Sequence, residues 1–219
     1  MAIFSGVARA QDVAAIADVT PVADESSEHA TTHAPDRMFG VLPNYATVER
    51  QGIVAPIAAR EMFTLNAKNT FDAYVFPFVA LTASLGQRDG ETFSQRYATA
   101  FADNAIGNFL TSAVLPAALH EDPRYYQRGT GGFGSRAGYA LSRIAITRSS
   151  SGRPQLNVSE LAGNFAASAV ANAYYPAEGR SLTATLTRWG SQMMWDAASN
   201  ELKEFWPDIR AWLQRRRAN

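Results

Sequence analysis

Apolar and polar positions follow a helical period over most of the chain beyond residue 57. A weak pattern covers 57–68. A stronger one covers 69–85, with Asn69 or Thr70 as its cap and Pro77 as a break or kink. From 94 to 119, Tyr97, Phe101, Ala105 and Phe109 mark one face, while Asn104, Asn108 and Thr111 mark a polar one. A short helix is expected over 135–147. Asn157 predicts the start of another, with Glu160 three residues on as in a capping box. In that helix Gly163, Ala167 and Ala171 form a small-residue edge, and Asn164, Ser168 and Asn172 a polar stripe. The last helix begins near Ser181. Its apolar stripe runs through Leu182, Leu186, Trp189 and Met193, then shifts phase to Ala198, Leu202, Phe205, Ile209 and Trp212, with a kink expected at Pro207. No window alternates as a strand does, so the expected fold class is all-α, a compact bundle of about six helices.

Two stretches inside this pattern share the string Gly-Asn-Phe-x-x-Ser-Ala-Val, at 107–114 and 163–170. Each is followed by a Tyr-Tyr pair (Tyr125-Tyr126 and Tyr174-Tyr175), a Gly/Arg loop and a further helical pattern. The expectation is a duplicated helical hairpin. Asn108 and Asn164 then occupy equivalent positions and meet near the centre, either as a hydrogen-bonded pair that fixes helix register or as the lining of a ligand pocket.

Composition divides the chain into three. Residues 1–10 are short and apolar and end Ala8-Arg9-Ala10, the remnant of a signal peptide. Residues 11–37 hold six acids and no period, an acidic disordered leader in which His29 and His33 are a chance pair. Residues 38–217 form a single all-helical domain, onto which the Gly- and Pro-punctuated segment Arg37–Tyr45 lies as an extended strip. The longest uncharged run, Ala73–Gln87, falls short of the roughly twenty apolar residues of a membrane span, so peripheral membrane contact is the most the chain is expected to make. Formal net charge is zero and no nucleic-acid module appears, which argues against nucleic-acid partners. With no cysteine, disulfides and thiol nucleophiles are excluded. No cofactor or metal set is indicated.

The strings His120–Tyr126 (HEDPRYY), Tyr174–Glu178, Glu204–Ile209 and Arg37–Val48 resemble an uncharacterised family of secreted proteins from acidobacterial soil bacteria. The family has no assigned activity. The resemblance implies a secreted or envelope location and no catalytic residue.

Two clusters could carry chemistry. His120, Glu121 and Asp122 at a helix end put an imidazole beside two carboxylates, a candidate acid–base group with Arg124 orienting substrate. Arg124, Arg128 and Arg136 flank a Gly-rich run leading into a helix start, a candidate anion site. No Gly-x-Ser-x-Gly occurs, and Ser135 misses that spacing by one residue. Two functions are therefore expected as alternatives. The first is a non-catalytic envelope protein, structural or binding an anionic small molecule, lipid, glycan or membrane surface. The second is a hydrolase or lyase acting on an envelope or extracellular polymer by carboxylate/His chemistry.

Overall fold

The structure, a computed structural model, describes residues 37–49, 55–86 and 90–218. The signal remnant and nearly all of the acidic leader lie outside those residues.

Helix α1 (Ala59–Thr70) ends on Asn69 and Thr70, which therefore close one helix and do not cap the next. The chain turns at Asp72, whose Oδ1 accepts the N–H of Tyr74 at 3.0 Å, and enters α2 (Val75–Leu85). Pro77 sits in the first turn of α2, where its missing N–H costs nothing, so it starts a helix and breaks none. Helix α3 (Phe93–Phe109) opens on a capping box between Thr92 and Gln95. A π turn (Leu110–Val114) and α4 (Leu115–Leu119) continue it. Pro116 cannot donate to the carbonyl of Ser112 and its ring crowds that turn, which accounts for the widened helix just ahead of it. The rod stops at His120, in the left-handed region with φ 56°.

The bundle is predominantly helical, as expected, but the all-α expectation misses seven short strands among the described residues. Strands β1 (Arg37–Met38) and β2 (Leu42–Pro43) form a hairpin, and β3 (Thr47–Val48) runs parallel to β5 (Tyr125–Tyr126). Strands β4 (Glu121–Asp122), β6 (Ile146–Ser149) and β7 (Pro154–Leu156) make an antiparallel sheet. None exceeds four residues, too short for a period of two to register. The helix expected over 135–147 is α5 (Phe133–Ser142), and its supposed last turn is the start of β6.

Helix α6 (Val158–Val170) is capped as predicted, Asn157 Oδ1 accepting the N–H of Glu160 at 3.1 Å. Its Gly163 lies against the rod. A Cβ there would stand 3.0 Å from Thr111 Cγ2, 3.2 Å from Leu115 Cδ1 and 3.4 Å from the backbone of Leu110. Gly107 lies correspondingly near Asn164 and Gln192. The two Gly-Asn-Phe stretches thus pack across one helix crossing. Their continuations diverge. Tyr125–Tyr126 is a strand, whereas Tyr174 and Tyr175 sit in a turn and donate both hydroxyls to Asp103. Gly163→Ala is expected to destabilise by about 1–3 kcal/mol through overpacking. Gly138→Ala in α5, where a Cβ meets nothing within 4 Å, should be neutral or stabilising by about 0.4–1 kcal/mol. Urea denaturation of both variants checks the contrast, and equal effects would refute it.

Helix α7 (Leu182–Ala218) departs most from expectation. Leu182 and Leu186, expected inward, are 70% and 44% exposed. Polar residues face α6 in their place. Asn172 donates to Thr185, Ser168 to Gln192 and Asn164 to Asp196, at 3.0, 3.1 and 3.2 Å. Positions fall along α6 as they rise along α7, so the helices are antiparallel and zipped by amides, hydroxyls and a carboxylate. Helix α7 continues through Pro207. The carbonyl of Lys203, four residues earlier, has lost its helical donor and accepts from the buried Gln127 Nε2 instead.

Candidate functional site

The rod, α1, α6, α7, β6 and the β4–β5 segment line a cavity of about 220 Å³. Its lining is unusually rich in ionisable groups: Glu121, Asp122, Arg124, Arg143, Arg148, Glu160, Asp196 and Lys203. Some of these are occupied by the fold. Glu121 is 2% exposed and accepts the N–H groups of Val158 (3.2 Å) and Ser159 (3.1 Å), so it closes the positive end of α6. Asp122 takes both Nε and Nη2 of Arg124, the latter at 2.6 Å, and the hydroxyl of Tyr126 at 2.7 Å. Burial, with that hydrogen bond added, pushes the Tyr126 phenol up to about 12. His120 is exposed and is not part of the cavity wall. The predicted trio therefore does not converge, because the left-handed turn at His120 sends the chain into β4.

The Gly/Arg loop does hold an anion, and the anion is the protein's own Glu204. This carboxylate is fully buried. It accepts from Tyr125 Oη (2.9 Å), the N–H groups of Arg128 (2.9 Å) and Gly129 (3.0 Å), and Arg136 Nε (2.9 Å). Arg136 also pairs with Asp208 and donates to the Glu204 carbonyl. Arg124 and Arg136 are thus internally paired, and Arg128 is exposed. Asn108 donates to Asn104 at 3.2 Å, and Asn164 binds two carboxyl groups, so the matched amides do not pair with each other.

What the sequence reading missed is the group those carboxyls form. Glu160 on α6 and Asp196 on α7 are in direct hydrogen-bonding contact, and Asn164 Nδ2 donates to both, at 3.1 and 3.2 Å. Burial raises both carboxyls. The charge of Asp196 then lifts Glu160 well above the usual range, while the hydrogen bond from Glu160, with Lys203 and Asn164, holds Asp196 down. Two carboxyls in contact resist ionising together, and of the two it is Glu160 whose proton the surroundings favour most. Burial lowers Lys203, and the two carboxyls oppose that shift.

Several donors on the cavity wall are unspent. Lys203 has no carboxylate at ion-pair distance among the described residues; its nearest ring contact is Tyr125, at 6.0 Å. Arg148 lies over the Tyr126 ring at 4.1 Å without an ion pair among the described residues. Asn66 Nδ2 and Ser159 Oγ, on side chains 2% and 1% exposed, have no partner there either. The carboxyls Glu121, Asp122, Glu160 and Asp196 face Arg124, Arg143, Arg148 and Lys203 across the lining. Among the described residues no three His, Asp or Glu side chains converge as metal ligands.

A signal for this site did exist. Asp196, Ser199, Asn200 and Lys203 fall at i, i+3, i+4 and i+7, a polar stripe on α7 with the spacing of an inward face. Among the described residues no helix is long and apolar enough to cross a membrane. No family model, no curated protein and no solved structure matches the chain.

Proposed function

We propose that the protein is an acid–base enzyme, a hydrolase or lyase, acting on a small anionic molecule or the anionic end of a longer one. The observation that carries this reading is the Glu160–Asp196 pair, two buried carboxyls in hydrogen-bonding contact with Glu160 raised well above its ordinary range, on the wall of a cavity with unspent donors. In a hydrolysis, Asp196 takes a proton from water as the water oxygen attacks the electrophilic carbon of an ester or phosphorus of a phosphoester. Glu160 gives its proton to the departing oxygen as that oxygen's bond to the carbon or phosphorus breaks. A proton passing from Asp196 to Glu160 through their contact restores the starting state. Lys203 and Arg148 hold the substrate's negative charge. Carboxyls in contact leave no sugar-width gap between them, which disfavours the separated geometry of glycosidases. The resemblance noted in the sequence supports an envelope or secreted site of action. The crossing of the two Gly-Asn-Phe stretches beside the cavity supports an origin by hairpin duplication.

Chromogenic esters and phosphoesters with small anionic groups are the test. Turnover should show a bell-shaped pH profile, and Asp196→Asn should lower it by about 10²–10⁴-fold with folding intact. Unspent donors at Asn66 and Ser159 favour a second, non-catalytic reading, in which an anion binds and nothing reacts. Phosphate raising the melting temperature without turnover of any substrate would select it.

A further inference from the structure

A second cavity of about 530 Å³ lies against the first, and Asn108, Thr111 and Asp196 line both. Asp196, an acid of the catalytic pair, therefore stands where the two spaces adjoin.

The two spaces differ in what they leave unspent. Most polar groups lining the second are consumed by one another or by nearby backbone, Arg188 Nε being the buried donor left without a partner among the described residues. Asp103 takes both tyrosine hydroxyls, Asn104 accepts from Asn108, Gln192 from Ser168, and Arg188 donates to Asn172 and to the Gly179 carbonyl. A ligand there meets Phe78, Val79, Ala83, Ala100 and Trp195, with Trp195 half exposed and packed edge-on against Phe78 at 5.7 Å. In the first cavity Lys203, Arg148, Asn66 and Ser159 keep donors to offer.

From this contrast we propose that the substrate is bipartite, with a compact anionic head in the polar cavity and an apolar tail in the groove, its reacting bond at Asp196. This rests on the acid–base reading above and specifies its substrate class.

Calorimetric titration of the full chain with inorganic phosphate, hexyl phosphate, phenyl phosphate and 1-hexanol tests it. Each methylene buried is worth about fourfold in affinity, so hexyl phosphate should bind at least about tenfold tighter than phosphate. That gain should vanish in Trp195→Ala while phosphate binding stays unchanged, and Arg148→Ala should weaken both. Hexyl against phenyl phosphate tells a flexible tail from an aromatic one. Equal affinity for phosphate and hexyl phosphate would overturn the bipartite substrate and leave the anion site standing. Hexanol binding as well as hexyl phosphate would overturn it too, since the groove would then act alone. Failure of every phosphate to bind would sink the anion site itself.

Discussion

Glu204→Ala is expected to cost about 3–5 kcal/mol, a large fraction of the stability of a domain this size. Four donors converge on that carboxylate: a phenol, two backbone N–H groups and a guanidinium. Truncation leaves all four without their acceptor, and Arg136 becomes a buried cation with only Asp208, itself mostly exposed, as counter-charge. The asymmetry matters more than the pair's net worth. Burying two charges together is close to neutral, whereas orphaning one incurs its full desolvation penalty. Arg136→Met should be milder, because the carboxylate keeps Tyr125 and two amides. Urea denaturation of both variants measures the difference. A Glu204→Ala loss below about 1 kcal/mol, or equal losses, would show that the loop does not depend on this carboxylate.

The same cluster shows how far a sequence can be read. The Gly/Arg loop is rightly legible as a place where backbone N–H groups and arginines gather around negative charge. That the charge comes from α7, about 75 residues away in sequence, is set by tertiary packing and leaves no local trace. Helices were legible because their caps are local: Asn157 and Glu160 are three residues apart. Strands of two residues were not, since their pairing is decided by partners such as Arg148 for Asp122, brought together only after the rod ends. The polar stripe on α6 was visible as Asn164, Ser168 and Asn172, but its complement on α7 was masked by an apolar stripe that in the folded protein lies half outside. Reading both helices for polar spacing would have paired Glu160 with Asp196. Reading α7 for apolar spacing alone favoured Leu182 and Leu186.

Glu160→Gln is expected to stabilise the fold at neutral and alkaline pH while abolishing turnover. The carboxyl of Glu160 stands well above its ordinary value, which in an unfolded chain is about 4.3. A carboxyl raised on folding adds stability that is complete below the unfolded value and is lost as pH climbs through the folded one. Wild-type protein should therefore weaken relative to the variant from about pH 4.3 upward. The gap should widen steadily toward alkaline pH. Glutamine copies the protonated acid. Its oxygen keeps the bond from Asn164 and its amide can donate to Asp196, so near pH 4 the two proteins should be nearly equal. Lys203, lowered by burial, runs the other way: its contribution is lost as pH falls through its folded value. Glu160 is one of the two charges that hold Lys203 up, so the difference between the two curves reports Glu160 together with its coupling to Lys203. Denaturation midpoints from pH 4 to 9 check the sign, and parallel curves would mean that Glu160 does not hold the pair's proton. A variant that is more stable yet inactive is what separates this reading from a structural one. A buried carboxyl pair kept for the fold alone would be improved by removing its repulsion at no loss, whereas one kept for proton transfer holds that repulsion because the chemistry uses it.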